Sequence, residues 1–180
     1  MFLNGYTSKI YGRELVGKVS LSQKNIALTL TDLENDGILS SIQSGNRKYY
    51  ELNLLNPLLI ENVLLFENFN SLEFLEKNKR LIDFFRQVGG DIVCVFGSYA
   101  SDKATKNSDL DLLIVGKVDS LSIQKLGKKY GIDVQIFNVS SRDFAQMIKS
   151  NKEIYQEILK NHVLVKGGDL FVGEVIKSLV

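Results

Sequence analysis

The sequence is poor in the residues that form disulfides and metal centres. It contains one cysteine, Cys94, and one histidine, His162, in 180 residues. A single cysteine excludes an internal disulfide and a cysteine-based zinc cluster, and it fits a reducing compartment. Cys94 lies within an apolar run, so we expect it in the core. His162 stands near the end of a predicted helix, and we expect it at the surface rather than in a catalytic role.

Long apolar runs are also missing. No run approaches the roughly 20 residues that a membrane helix needs, and the first residues lack the apolar core of a signal peptide. We therefore expect a cytoplasmic protein that does not engage a membrane.

Neither sign of charge is in excess. The chain carries 22 Lys+Arg against 21 Asp+Glu, a formal net charge of +1. This balance neither favours nor excludes a nucleic-acid partner, because local clustering of charge decides such binding. With 44% apolar and 24% charged residues, the chain has the composition of a globular protein of one domain or two small ones.

The N-terminal part of the chain predicts two helices and a hairpin. A short helical pattern at residues 11–19 precedes a second one, for which Ser22 is a natural N-cap and Gly37 a C-terminal stop. Two strands around the turn Ser44-Gly45-Asn46 complete the segment.

This order of elements resembles a small winged helix-turn-helix domain, to which we assign residues 1–56. The end of the second helix, from Leu30 to Ile38, is similar to that of recognition helices. Winged helices normally begin with a further full helix, whereas ten residues precede Tyr11, so the first helix is truncated or replaced by another part of the chain.

The winged-helix resemblance implies binding to duplex DNA, although such domains also mediate protein contacts. This segment holds six basic and five acidic residues, so it is barely positive. The residues that we expect to meet base edges are Gln23, Lys24, Asn25 and Thr29, and those suited to phosphates are Arg47 and Lys48.

Residues 57–90 predict linker helices. Pro57 is a standard helix opening, the following residues are apolar at helical spacing, and Asn70-Ser71 is expected to divide them into two helices. The segment has more phenylalanines than an exposed linker needs. Either they pack against both flanking domains, which we favour, or they form a homodimer interface; the residues are Phe66, Phe69, Phe74, Phe84 and Phe85.

Residues 91–180 alternate between strand and helix patterns, which indicates an α/β layer with helices against a sheet. A long helical pattern covers residues 141–161. It is followed by a short strand, a Gly-Gly turn and a closing helix.

Two aspartates stand in one of these predicted strands. Since strand side chains alternate between faces, Asp109 and Asp111 share one face and repel each other unless a cation lies between them. A salt bridge is one way to satisfy them. Mg²⁺ is another, because it prefers oxygen ligands and is commonly held by one or two carboxylates together with substrate phosphates.

A phosphate site is predicted beside this pair. At Gly97-Ser98 a strand ends and a helix begins, so free backbone N–H groups point outward. The glycine lets a phosphate approach closely and the serine hydroxyl can donate to it. If the next strand is adjacent, Asp133 faces the same pocket, and three carboxylates suit two-metal nucleotidyl transfer. Taken singly, each residue has a structural alternative, such as an ordinary turn, a solvated strand end or a cap.

Together these residues resemble a known signature. Gly97-Ser98, ten intervening residues, Asp109-Leu110-Asp111 and a later strand aspartate are similar to the pattern of the DNA polymerase β-like nucleotidyltransferase superfamily. The neighbourhood looks like its minimal nucleotidyltransferase (MNT) branch, in which an arginine or glycine often stands where this chain has Ser101-Asp102. The resemblance covers roughly residues 91–145.

The resemblance implies an α/β (α+β) nucleotidyltransferase domain with a mixed sheet flanked by helices. It also implies transfer of a nucleotide, most plausibly AMP from ATP, with two Mg²⁺ ions. Asp109 and Asp111 are then metal ligands, Asp133 is the third carboxylate and the base, and Gly97 and Ser98 hold the triphosphate.

The acceptor is not identified by these residues. A helical HEPN-type protein partner, as in toxin–antitoxin pairs, is implied by the resemblance alone. The alternative is a DNA-binding regulator whose nucleotidyltransferase fold senses a nucleotide or is inactive.

Overall fold

The computed structural model describes residues 6–150 and 152–179. The chain forms two compact units that divide between Asn62 and Val63, called here the N-terminal unit and the C-terminal unit. The three-part division into residues 1–56, 57–90 and 91–180 stays a prediction.

The N-terminal unit is built on a three-stranded antiparallel sheet. Its strand order is β1-β3-β2, with Tyr11 opposite Tyr49 and Leu39 opposite Leu52. The elements are β1 (Ile10–Tyr11), a 3-10 turn (Gly12–Leu15), α1 (Gln23–Asn35), β2 (Leu39–Ser44) and β3 (Arg47–Leu52).

Helix α1 begins and ends where the sequence predicts. The Ser22 hydroxyl accepts a hydrogen bond from the Asn25 backbone N–H at 3.2 Å, which satisfies one of the free N–H groups of the first turn. Gly37 adopts a φ of 70° just after the helix, a conformation that glycine reaches without steric cost. The buried residues Ile26 and Leu30 face the unit's core.

The helix predicted at residues 11–19 is wrong. Its sequence forms a 3-10 turn of four residues, Gly12–Leu15. Tyr11 is held in the β1–β3 ladder, and Gly17 has a φ of 80°, so the chain cannot continue as a helix on either side. Before Leu52, α1 is the one α-helix among the described residues, and these residues do not form the two-helix part of a helix-turn-helix.

The remaining elements surround a mixed four-stranded sheet of order β6-β5-β4-β7. β5 pairs parallel to β6, and β4 pairs antiparallel to β5 and β7. The predicted α/β fold with a mixed sheet flanked by helices is thus present. From Leu59 onward the elements are α2 (Leu59–Lys77), a 3-10 turn (Lys79–Leu81), α3 (Ile82–Phe85), β4 (Ile92–Phe96), α4 (Gly97–Ala100), β5 (Leu110–Val115), α5 (Ser120–Lys129), β6 (Val134–Val139), α6 (Ser141–Lys149), α7 (Glu153–Lys160), β7 (His162–Lys166) and α8 (Gly168–Lys177).

The predicted division of helix α2 at Asn70-Ser71 is wrong. The helix runs through both residues, because the Asn70 side-chain amide donates to the His162 carbonyl at 3.1 Å and does not compete with the helix backbone. The break comes later, at Asn78, which has a φ of −118°.

The helix predicted over residues 141–161 is divided. Helix α6 ends at Lys149, and the Ser150 hydroxyl turns back to the Met147 carbonyl. Helix α7 then begins at Glu153, so this segment forms two short helices rather than one long one.

The core of the C-terminal unit includes residues that precede the first sheet strand. Phe74 and Phe84 are buried with strand residues such as Val93 and Leu112, and Phe85 packs against the same cluster. Phe66 and Phe69, in contrast, are 41% and 71% exposed. Three of the five phenylalanines therefore pack in this unit, and the predicted homodimer interface remains a prediction for the other two.

His162 is not at the surface, and that expectation is wrong. The residue is buried at the start of β7, its Nε2 lies 3.0 Å from Glu67 Oε1 on α2, and its ring lies 5.3 Å from that of Phe171. Cys94 is fully buried in β4, as predicted. Among the described residues, no helix is both long enough and apolar enough to cross a membrane.

Candidate active site

Asp109 and Asp111 lie at the start of β5. Asp111 is the second residue of the strand and Asp109 precedes it directly, so the alternation of the strand directs both side chains to one face. Asp111 is opposite Phe96 of β4 and Gln135 of β6. Both aspartates are half-buried.

The surroundings of Asp111 are negatively charged. Burial raises the pKa of the Asp111 carboxyl, and the charges of Asp109 and Glu157 raise it further. Like charges at short range disfavour ionisation. A cation between these groups would relieve the repulsion.

Gly97 is in contact range of this carboxylate. It is the first residue of α4, with a φ of 69°, and a Cβ placed on it would lie 2.3 Å from Asp111 Oδ2. A side chain here would fill the space beside the carboxylate. Ser98 follows and is half-buried, and its carbonyl accepts from the Lys103 backbone N–H at 2.9 Å.

Asp133 lies on the other side of Asp109. It directly precedes β6, and its carbonyl accepts from the Leu110 backbone N–H at 2.8 Å. Its exposed side chain lines a cleft of about 370 Å³, which Asp109 also lines. Over residues 6–150 and 152–179, no three His, Cys, Asp or Glu side chains lie close enough together to hold one metal ion. The three predicted aspartates are thus neighbours through Asp109 and do not form one cluster.

Two residues near the pair were not found from the sequence. Gln135 Nε2 donates to Asp109 Oδ2 at 2.7 Å, and its alternation with Asp133 along the strand is the signal that points to it. Glu157 comes from α7. No local motif marks Glu157, because the packing of α7 brings it near Asp111.

Asp102 stands where relatives of the MNT branch often have arginine or glycine. Its φ is 59°, in the left-handed region that favours glycine. Its carboxylate pairs with Lys77 Nζ at 2.7 Å. The departure from the MNT pattern therefore falls on a position where the backbone suits glycine.

The residues fit a magnesium site. Asp109 and Asp111 offer oxygen ligands only, their repulsion needs a cation, and the missing side chain of Gly97 leaves room beside them. Mg²⁺ is often held in this way, by one or two carboxylates and the phosphates of a substrate.

The predicted DNA-contacting residues lie at the surface of the N-terminal unit. Arg47 lies over the Tyr11 ring, 5.6 Å from its centroid. Lys48 forms a 2.5 Å ion pair with Glu34 of α1, so its charge is already balanced. The four residues of α1 are fully exposed: Gln23, Lys24, Asn25 and Thr29.

The C-terminal unit has known relatives. Over 85 residues the chain is 34% identical to the "Putative protein adenylyltransferase" of Methanocaldococcus jannaschii; this match covers 46% of the chain and 60% of the relative, so the chain spans less than two thirds of that protein's length. The solved structure titled "Crystal structure of the toxin-antitoxin with AMP-PNP" is 17% identical, with a TM-score of 0.38, and the match covers 56% of this chain and 82% of that one.

The family model described as "Nucleotidyltransferase domain" matches residues 76–165. This range is half of the chain and contains Gly97, Ser98 and the three aspartates discussed above. The chain therefore belongs to the nucleotidyltransferase domain family.

Proposed function

We propose that the protein is a Mg²⁺-dependent nucleotidyltransferase of the MNT branch that transfers AMP from ATP to a hydroxyl group of an acceptor. The observation that supports this most is the close approach of Gly97 to Asp111, beside a second carboxylate. The acceptor oxygen forms a bond to the α-phosphorus of ATP. The bond from that phosphorus to the oxygen bridging to the β-phosphate breaks, and pyrophosphate leaves with the bonding electrons.

The chain's own residues have separate roles in this scheme. Asp109 and Asp111 hold the metal, and Gln135 fixes one oxygen of Asp109 by its 2.7 Å hydrogen bond. Gly97 and Ser98 hold the triphosphate. Asp133, exposed in the cleft, accepts the acceptor's proton. The chemistry that two bound Mg²⁺ ions supply is stabilisation of charge on the attacking and leaving oxygens.

The proposed acceptor is a protein. Support comes from the name of the Methanocaldococcus jannaschii relative, which is 34% identical over 85 residues. A HEPN-type partner in a toxin–antitoxin pair rests on the sequence resemblance alone.

A second candidate function is DNA binding by the N-terminal unit, in a regulator whose nucleotidyltransferase fold senses a nucleotide. The exposed polar residues on α1 and the exposed Arg47 favour it. The pairing of Lys48 with Glu34 reduces the charge available to phosphates. The two functions are compatible in one protein.

The test is label transfer from α-labelled ATP with Mg²⁺ in a lysate of the source organism. Wild-type protein is expected to label an acceptor. Asp133→Asn is expected to bind Mg²⁺-ATP as wild type does and to lose transfer by roughly 10²-fold or more, since a general base contributes about that factor. Asp169→Asn, the same change at an exposed residue of α8, is the control and should transfer normally. Equal transfer by wild type and Asp133→Asn would remove the role given to Asp133, and no transfer by wild type would favour the sensor.

A further inference from the structure

The cleft at Asp133 has walls of opposite charge. One wall carries Asp109 and Asp133, and the other is formed by Gln124, Lys125 and Lys128 of α5. All three α5 residues are exposed. The proposed chemistry uses the carboxylates and gives the lysines no role.

A close contact between α5 and β6 brings the lysines to this place. Gly127 lies between them in the sequence, and a Cβ on it would be 2.4 Å from Val134 Cγ2 and 2.8 Å from the Ile132 carbonyl oxygen. The Gln124 side chain reaches the Val134 carbonyl at 3.5 Å. The helix therefore sits against the strand that starts beside Asp133.

The two lysines are not used in ion pairs of the described chain. Across residues 6–150 and 152–179, the ion pairs within 4.0 Å include neither Lys125 nor Lys128. Lys125 lies near Asp119 and also lines a neighbouring cleft with Lys129. Lys128 lines the Asp133 cleft without these complications, so it is the sharper probe.

Strand β6 provides a backbone edge next to the cleft. It is the terminal strand of the order β6-β5-β4-β7 and pairs with β5 alone in that sheet. An edge strand offers N–H and C=O groups to an extended peptide. Phe137, 38% exposed on this strand, adds an apolar contact for the same ligand.

We propose that the acceptor is an extended acidic segment of a protein, which lies along β6 with its hydroxyl at Asp133 and its carboxylates at Lys125 and Lys128. The assignment rests on the proposed nucleotidyl transfer and adds the acceptor's chemical class. The lysines favour a negative ligand, and the strand edge favours a peptide over a nucleic acid because it pairs with peptide backbone.

The experiment uses the full-length protein and ten-residue fluorescent peptides. Each peptide carries one tyrosine or one serine, flanked by glutamates or by lysines, and a ten-nucleotide single-stranded RNA is the third probe. Affinity is measured by fluorescence anisotropy without ATP or Mg²⁺. Label transfer from α-labelled ATP with Mg²⁺ is measured in parallel. The matched variants are Lys128→Glu and Lys129→Glu, adjacent positions of one helix that line different clefts.

The glutamate-flanked peptides are expected to bind more tightly than the lysine-flanked ones and to take up label. Lys128→Glu should weaken their binding by roughly three- to tenfold, and Lys129→Glu should not. Equal loss in both variants, or tighter binding of the RNA than of any peptide, overturns the proposal. Charge-selective peptide binding without transfer contradicts the proposed function and supports the binding site, whereas transfer without charge selectivity supports the function and contradicts the site.

Discussion

Gly97 and Asp111 depend on each other at the scale of single residues. The glycine has a φ of 69°, and a Cβ on it would lie 2.3 Å from Asp111 Oδ2. A carboxylate displaced by a side chain would no longer share a cation with Asp109. The conformation alone also costs an alanine about 1–2 kcal/mol.

We therefore expect Gly97→Ala to lose most of the thermal stabilisation that Mg²⁺-ATP gives to the wild type. Gly131→Ala separates this effect from backbone strain, because Gly131 has a φ of 67° and no atom within 4 Å of an added Cβ. Thermal melts with and without Mg²⁺-ATP measure both. A Gly97→Ala protein that Mg²⁺-ATP stabilises like the wild type would contradict the close-approach argument.

Asp111→Asn should change stability and binding in opposite directions. Burial, Asp109 and Glu157 raise the pKa of Asp111 in the folded state, so its ionised form destabilises the fold at any pH above that raised pKa. The amide variant is expected to melt at a higher temperature than wild type at pH 7 without ligand. This advantage should shrink as the pH falls through the raised pKa, because the wild-type carboxyl then takes up a proton.

Calorimetry of both proteins across this pH range measures the change in stability, and Mg²⁺-ATP titration measures the loss of binding. An Asp111→Asn protein that melts lower than wild type without ligand, or that keeps its Mg²⁺-ATP affinity, would show the assignment to be wrong.

At the scale of elements, the contact of α5 with β6 requires a glycine. An alanine at Gly127 gains about 1 kcal/mol of helix propensity, but its Cβ would meet Val134 and the Ile132 carbonyl at 2.4 and 2.8 Å. Overpacking of this kind costs about 1–3 kcal/mol. The unfavourable effect is expected to win.

Gly127→Ala should therefore lower the free energy of unfolding in urea. Gly173→Ala is its control, since Gly173 also lies within a helix and an added Cβ there meets nothing within 4 Å. That control should gain about 0.5–1 kcal/mol. Stabilisation by both changes would mean that α5 is not pressed against β6.

The hairpin of β2 and β3 gives a further prediction at this scale. Because Lys48 is paired with Glu34 at 2.5 Å, Arg47→Ala should weaken duplex DNA binding more than Lys48→Ala. Glu34→Gln should release Lys48 and strengthen binding. Affinity measured against salt concentration tests this, with a slope change of about 0.9 for each phosphate contact. No binding by the wild type at low salt would leave the unit with a protein-contact role.

At the scale of the whole molecule, the nucleotidyltransferase fold includes part of the predicted linker. Phe74 and Phe84 are buried in the sheet's core, and Glu67 pairs with the buried His162 at 3.0 Å. A fragment that starts at residue 91 would lose these contacts. It would leave His162 without this partner, and such a loss costs roughly 1–3 kcal/mol for a buried polar group.

We expect a fragment of residues 63–180 to unfold cooperatively and a fragment of residues 91–180 to unfold at a much lower temperature or without a cooperative transition. Circular dichroism melts of the two fragments and of the full chain measure this. The single change His162→Ala in the longer fragment should move its melting temperature toward that of the shorter one. Equal melting temperatures of the two fragments would place the boundary where the sequence predicts it, at residue 91.

The sequence alone determined the features that depend on neighbours along the chain. The cap at Ser22, the stop at Gly37, the strands of the mixed sheet and the common face of Asp109 and Asp111 all follow from local spacing. Residues 76–165 match the nucleotidyltransferase domain family, to which the Gly97-Ser98 and aspartate pattern also pointed.

Only the tertiary structure decided which distant residues meet. Glu67 and His162 are 95 positions apart, and Gln135 reaches Asp109 across 26 positions. The intact helix at Asn70 depends on a bond to the His162 carbonyl, 92 positions away. Periodicity and propensity describe the chain within a few turns or a strand length, whereas these contacts arise when separate elements pack and buried polar groups must find partners.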